Sequence, residues 1–243
     1  MGKGLTSLLP GIYQVRGVVG SNVYLIREEE GLALIDAGWP IDRPAISRAL
    51  TSLGGVSDLK MVVVTHYHGD HMGSIRKLKR NGSVPSAVGE ADVDYVNGRR
   101  PYERFKIAPS RRIFYSVLYP FFRYRTFEVD RALADGDEVD LLGGLEVIHT
   151  PGHTIGSICL YGRQRGILFS GDLVRNERGI LEGPPPQFTP DPVAAAASLR
   201  KVAGLEFDIL LPGHGVPVMS DAAAKLRALL QSGDIWPLSE ARS

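Results

Sequence analysis

The chain has 243 residues, 44% hydrophobic and 23% charged, with a formal net charge of +1. This composition is ordinary for a water-soluble globular protein, and the near-zero charge excludes a global electrostatic pull toward nucleic acid or membrane. A single cysteine, Cys159, excludes a disulfide framework. No apolar run is long enough to span a membrane and no secretory leader is visible, so one cytoplasmic domain over residues 1–243 is expected.

Ile12 to Val18, Asn22 to Arg27 and Leu32 to Ala37 read as strands, with turns at Gly20-Ser21 and Glu30-Gly31. The third ends in Ile35-Asp36-Ala37-Gly38. An aspartate closing so apolar a strand has two readings: it holds a ligating histidine by that ring's second N–H, or it is a plain turn residue. Asp42 to Leu53 reads as a helix, with Asp42 as cap, Pro44 in the first turn and Ile46, Ala49, Leu50 and Leu53 as its apolar face.

Leu59 to Thr65 is a short, β-branched apolar run and reads as a buried strand. It leads into Thr65-His66-Tyr67-His68-Gly69-Asp70-His71, and Met72 to Arg80 reads as a helix. Three of the six histidines of the chain therefore stand with an aspartate where a strand meets a helix, a place where α/β proteins carry chemistry. Residues two apart in an extended segment project to one side, so His66 and His68 are placed to grip one metal ion. Asp70 and His71 follow the turn at Gly69 and are placed to hold a second.

Residues 90–131 differ from the rest. Arg99 to Arg125 carries eight basic residues and one acid, interleaved with aromatic residues such as Tyr102, Phe105, Phe114 and Phe121 and interrupted by Pro101, Pro109 and Pro120. This insert reads as a helical lid over a site, a dimer interface through which the chain would oligomerise, or a packed subdomain with a solvated basic face.

Further on, Leu145 to Thr150 runs into Pro151-Gly152-His153-Thr154. Ser157 to Tyr161 and Gly166 to Ser170 read as strands, the latter followed by Gly171-Asp172. Gly183 to Pro192 holds five prolines and reads as a stiff irregular loop, either a wall of the site or a connector. Val193 to Val202 is a helix, Phe207 to Leu211 a strand leading into Pro212-Gly213-His214-Gly215, and Asp221 to Gln231 the last helix, capped by Asp221 or Ser220. Each half of the chain ends its strands in metal-type residues followed by a helix, which suggests an α/β protein of two packed sheets with helices outside.

His153, Asp172 and His214 join the first cluster as a set of five histidines and two aspartates, in the order HxHxDH, PGHT, GD and PGHG. This set resembles the metallo-β-lactamase superfamily over roughly Ile12 to His214. The resemblance implies a four-layer αββα sandwich. It implies that His66, His68 and His153 hold one metal ion, that Asp70, His71 and His214 hold another, and that Asp172 bridges them. It matches Asp36 to the family's aspartate at the end of an early strand, and leaves His149 as a structural residue outside the ligand set. The implied cofactors are two divalent ions, zinc first, with iron or manganese as alternatives.

Two such ions share a water, lower its pKa and give hydroxide at neutral pH, so a dinuclear metal-dependent hydrolase of ester-type bonds is expected, acting on a small-molecule thioester, lactone or phosphoester. Asp70 is expected to steer the nucleophile or pass its proton. The alternatives are a mononuclear iron enzyme resembling the persulfide dioxygenases, and a metal-stabilised binding module without activity. Cys159 sits inside an apolar strand and reads as core.

Overall fold

The computed structural model describes residues 4–81, 84–101, 125–233 and 235. The aromatic and basic heart of the insert, residues 102–124, lies outside the described residues, as does the expectation of a lid, interface or subdomain there. The chain divides into two compact units, one within Met1–Val88 and Val93–Ala132, the other within Gly89–Asp92 and Leu133–Ser243.

The first unit carries a seven-stranded sheet. Its strands are β1 (Leu5–Leu9), β2 (Ile12–Val15), β3 (Tyr24–Glu28), β4 (Gly31–Ile35), β5 (Leu59–Val64), β6 (Ser86–Gly89) and β7 (Arg131–Leu133), neighbours in that order. The first four are an antiparallel meander; β4, β5 and β6 are parallel. β1 is an edge strand with little sequence signal, because only Leu5 along it is buried. The helices of this unit are α1 (Arg43–Thr51), α2 (Gly69–Met72), α3 (Ile75–Asn81) and α4 (Val93–Val96). Leu25, Leu34, Ile46, Leu50, Val62, Val64, Met72 and Ile75 pack together as its core.

Two expectations are corrected in this unit. Asp42 stands at the cap position of α1, but its carboxylate makes no cap bond; it accepts the N–H groups of Val19 and Trp39, each at 2.8 Å. The single helix expected over Met72 to Arg80 starts earlier, at Gly69, and breaks at Gly73-Ser74. The cause is tertiary: Ser74 donates its hydroxyl to the Trp39 carbonyl, and a methyl at Gly73 would lie 2.5 Å from Pro40 Cδ and 2.8 Å from the Gly38 oxygen. The Gly38–Pro40 turn therefore presses directly on the helical backbone.

The second unit carries β8 (Glu138–Val139), β9 (Leu145–His149), β10 (Ile158–Gly162), β11 (Ile167–Gly171) and β14 (Ile209–Pro212), in the sheet order β14-β11-β10-β9-β8. A separate hairpin of β12 (Arg175–Glu177) and β13 (Ile180–Glu182) follows Asp172 and turns through Arg178 and Gly179, both at positive φ, as a tight two-residue hairpin requires. The helices are α5 (Pro192–Ala203) and α6 (Ala222–Ser232). Asp191 caps α5 by accepting the Ala194 N–H at 2.9 Å. Ile148, Cys159, Leu168, Leu199, Val202, Leu210 and Leu226 form the core of this unit. No helix among the described residues is long and apolar enough to cross a membrane.

Candidate metal centre

In the first unit the donors stand at the carboxyl ends of two neighbouring parallel strands. β4 and β5 pair with Ile35 opposite Val63, so Asp36 comes level with Val64, next to Thr65. Asp36 takes a left-handed backbone conformation, φ 61°, which an aspartate tolerates better than most residues. This turns its buried carboxylate onto the next segment. It accepts the Thr65 N–H at 2.8 Å, the Thr65 hydroxyl at 2.9 Å, and a bond from His71 Nδ1 at 2.8 Å. Of the two readings of Asp36, the structure has the one in which its carboxylate holds a histidine ring.

The Asp36 contact places the proton of His71 on Nδ1, so the lone pair of Nε2 points the other way, 3.8 Å from Asp70 Oδ2. Two Lewis bases that face each other in this way suit a cation between them. His66 Nε2 and His68 Nδ1 form a second such pair, 3.0 Å apart. That spacing is a ring-to-ring hydrogen bond when one nitrogen is protonated and a two-point grip on a cation when both present lone pairs. α2 begins at Gly69, and the N–H groups of His71 and Met72 return to the His68 carbonyl, so the donors alternate around one tight turn. Ser21 donates its hydroxyl to the Asp70 carbonyl and fixes the far side of that turn.

In the second unit the donors again sit at one sheet edge. β11 and β14 are parallel, and β9 runs the same way as β11 after two antiparallel steps through β10. The carboxyl ends of β9, β11 and β14 therefore deliver His153, Asp172 and His214 to one place. His153 Nε2 and His214 Nε2 each lie 3.3 Å from the same oxygen, Oδ2 of Asp172. Asp172 and His153 are buried. Glycines make the approach feasible: a methyl at Gly213 would collide with Asp172 Oδ1, and one at Gly152 with the Ala195 backbone nitrogen. Two imidazole nitrogens aimed at one carboxylate oxygen form a donor set suited to divalent metal.

The first unit thus brings together His66, His68, Asp70 and His71 around Asp36, and the second brings together His153, Asp172 and His214. His149 stands apart from them. Its backbone N–H donates to Asp135, its ring Nε2 meets the Ile155 carbonyl at 2.9 Å, and its carbonyl accepts from Lys201, which makes it a brace for the loop that carries His153. Burial pushes the Cys159 thiol up to about 12, so it is a core residue and not a nucleophile.

Sequence reading missed three supporting residues. Asp92, fully buried, accepts the Thr154 hydroxyl and the Gly156 N–H, each at 2.7 Å, from more than sixty residues away. Thr189 in the proline-rich loop faces His153 Nδ1 at 3.5 Å. Ser21 bonds across forty-nine residues. None has a local signal, since each acts on a distant segment.

A family model of the metallo-beta-lactamase superfamily matches residues 16–214. The chain belongs to the metallo-β-lactamase superfamily. It is 33% identical over 231 residues to the probable metallo-hydrolase YflN of Bacillus subtilis (strain 168), covering 86% of this chain and 87% of that protein. It is 29% identical over 212 residues to the acyl-coenzyme A thioesterase MBLAC2 of Homo sapiens, covering 80% of this chain and 72% of the thioesterase. Among solved structures it is similar to the metallo-beta-lactamase family protein TTHA1429 from Thermus thermophilus, with a TM-score of 0.72 and 24% identity over 93% of this chain and 81% of that one. This superfamily member accordingly has the metallo-β-lactamase fold and is a metal-dependent hydrolase.

Proposed function

We propose that this chain hydrolyses ester-type bonds of small molecules at a dinuclear centre, with thioesters ahead of lactones and phosphoesters. His66, His68 and His153 would hold one ion, Asp70, His71 and His214 the other, and Asp172 both. The observation that carries this reading is the position of Asp172, whose Oδ2 lies 3.3 Å from one histidine of each intended set. A carboxylate oxygen so placed suits a bridge, and Asp70, His71 and His214 would be superfluous to a site for a single ion. The preference for thioesters is supported by the similarity to MBLAC2, which is named an acyl-coenzyme A thioesterase.

Two divalent ions bound there, zinc first, with iron or manganese as alternatives, would supply hydroxide at neutral pH and polarise the carbonyl oxygen of the substrate. The protein supplies the rest. Asp36 holds His71 with Nε2 toward the centre. Asp70, the most exposed of the four donors in its unit with 19% of its side chain open, orients the attacking water and takes its proton. With Cys159 buried and no Gly-x-Ser-x-Gly in the chain, the reaction needs no side-chain nucleophile.

The test is metal analysis together with a hydrolysis panel of a thioester, an acyl-lactone, a phosphodiester and a phosphotriester, using zinc-, manganese- and iron(II)-reconstituted protein. Two ions per chain and a dominant thioester rate are expected. Asp172→Ala should lose metal and turnover together, and near-wild-type activity in that variant would refute the bridging role. About one iron per chain without hydrolysis would favour the mononuclear dioxygenase reading instead.

A further inference from the structure

We infer that Thr189 sets the tautomer of His153, presenting Nε2 of that ring as the metal-binding atom. The inference rests on the reading of His153 as a metal ligand. The Thr189 hydroxyl donates to the Pro185 carbonyl at 2.7 Å, so its hydrogen is committed and only its lone pairs face the His153 ring, with Nδ1 3.5 Å away. An oxygen restricted to accepting favours the proton on Nδ1. The opposite nitrogen, Nε2, then carries its lone pair toward the side where Asp172 Oδ2 stands, 3.3 Å away.

The loop is built to hold that hydroxyl still. Its prolines restrict the backbone, and Pro186–Phe188 forms one 3₁₀ turn. The Gly183 N–H donates to the Ile235 carbonyl at 2.7 Å, and at the other end the Asp191 N–H donates to the Gly152 carbonyl at 3.3 Å. Thr189 itself is buried. The backbone on the other side of His153 is fixed independently, by the bonds of Thr154 and Gly156 to Asp92. Backbone and ring thus have separate anchors, and Thr189 acts on the ring at Nδ1. This gives the proline-rich stretch a task beyond connecting β13 to α5: it is a rigid arm for one hydroxyl.

Two measurements test the inference. Long-range ¹H–¹⁵N correlation spectra of the zinc-loaded wild-type protein, with His153→Ala for assignment, should show His153 protonated at Nδ1 and coordinated through Nε2; coordination through Nδ1 would overturn the inference without any change at Thr189. Zinc affinity from chelator competition should be about 10–100-fold weaker in Thr189→Val, with unchanged circular dichroism, and close to wild type in Thr189→Ser, which keeps the hydroxyl. Equal affinity in the valine variant and the wild type would sink the inference. Retention of both ions by His153→Ala would instead sink the assignment of His153 as a ligand, so the two failures are distinguishable.

Discussion

His71 Nδ1 lies 2.8 Å from Asp36 Oδ2 across thirty-five residues of sequence, and both side chains are almost wholly shielded from solvent. This bond joins the end of β4 to the first turn of α2 and orients a candidate ligand. Replacing Asp36 by Asn keeps a residue that tolerates φ 61° and removes the charge. Metal affinity should fall about 10–100-fold with the fold intact, as measured by chelator competition beside circular dichroism. Asp36→Gly relaxes the backbone completely and should lose affinity as well; wild-type affinity in the glycine variant would show that Asp36 serves only as a turn.

Gly73 should be intolerant of a side chain although its backbone is ordinary. A methyl there meets the Gly69 carbonyl and Pro40 Cδ, each at 2.5 Å. Gly73→Ala should cost about 1–3 kcal/mol, the usual range for overpacking. For a chain of this size that lowers the melting temperature by about 2–4 °C per kcal/mol, read by thermal denaturation at fixed metal content. Gly136→Ala is the control, because nothing lies within 4 Å of the added methyl and only its positive φ opposes the change.

The ion pair of Lys79 with Asp130 predicts a modest acid dependence. Burial raises the Asp130 pKa, but hydrogen bonds from Lys79 and Ser86 outweigh it and hold the carboxyl below its ordinary range. The contribution to stability is therefore complete above the ordinary carboxylate pKa and is lost as pH falls through the depressed folded-state value. Asp130 is half exposed, so solvent screening keeps the effect small. Denaturant midpoints measured from pH 7 downward should fall less steeply in Asp130→Asn than in the wild type. Parallel curves would remove Asp130 from the acid response.

Cys159 should resist alkylation in the native protein. Its thiol is buried between strands and pushed up to about 12, so almost no thiolate exists at pH 8. Iodoacetamide should label it only after denaturant is added, as followed by intact mass. Rapid native labelling with loss of turnover would reopen a role for the thiol.

Much of the candidate site was legible in the sequence because its histidines and aspartates stand in short local patterns. Each group of ligand-type residues follows an apolar strand and adjoins a glycine, so the pattern can be read within a short segment. The insert is the counterexample: its basic and aromatic pattern admits three readings, and residues 102–124 lie outside the described structure. Where helices were drawn wrongly, the missing information was non-local. Nothing between Met72 and Arg80 announces that the Gly38–Pro40 turn will press on Gly73 and divide the helix.

The sequence by itself determined the ligand-type residues, their order and the strands that carry them, since periodicity and spacing are properties of short segments. Only the tertiary structure decided which nitrogen of His71 is held by a partner. That choice depends on a hydrogen-bond partner arriving from elsewhere in the chain: Asp36 for His71, and in our proposal Thr189 for His153. The same holds for Asp172, whose contact with both His153 and His214 exists because β9, β11 and β14 all run the same way and end at one sheet edge. A ring's tautomer is set by its neighbours in space, and neighbours in space are what a linear pattern does not contain.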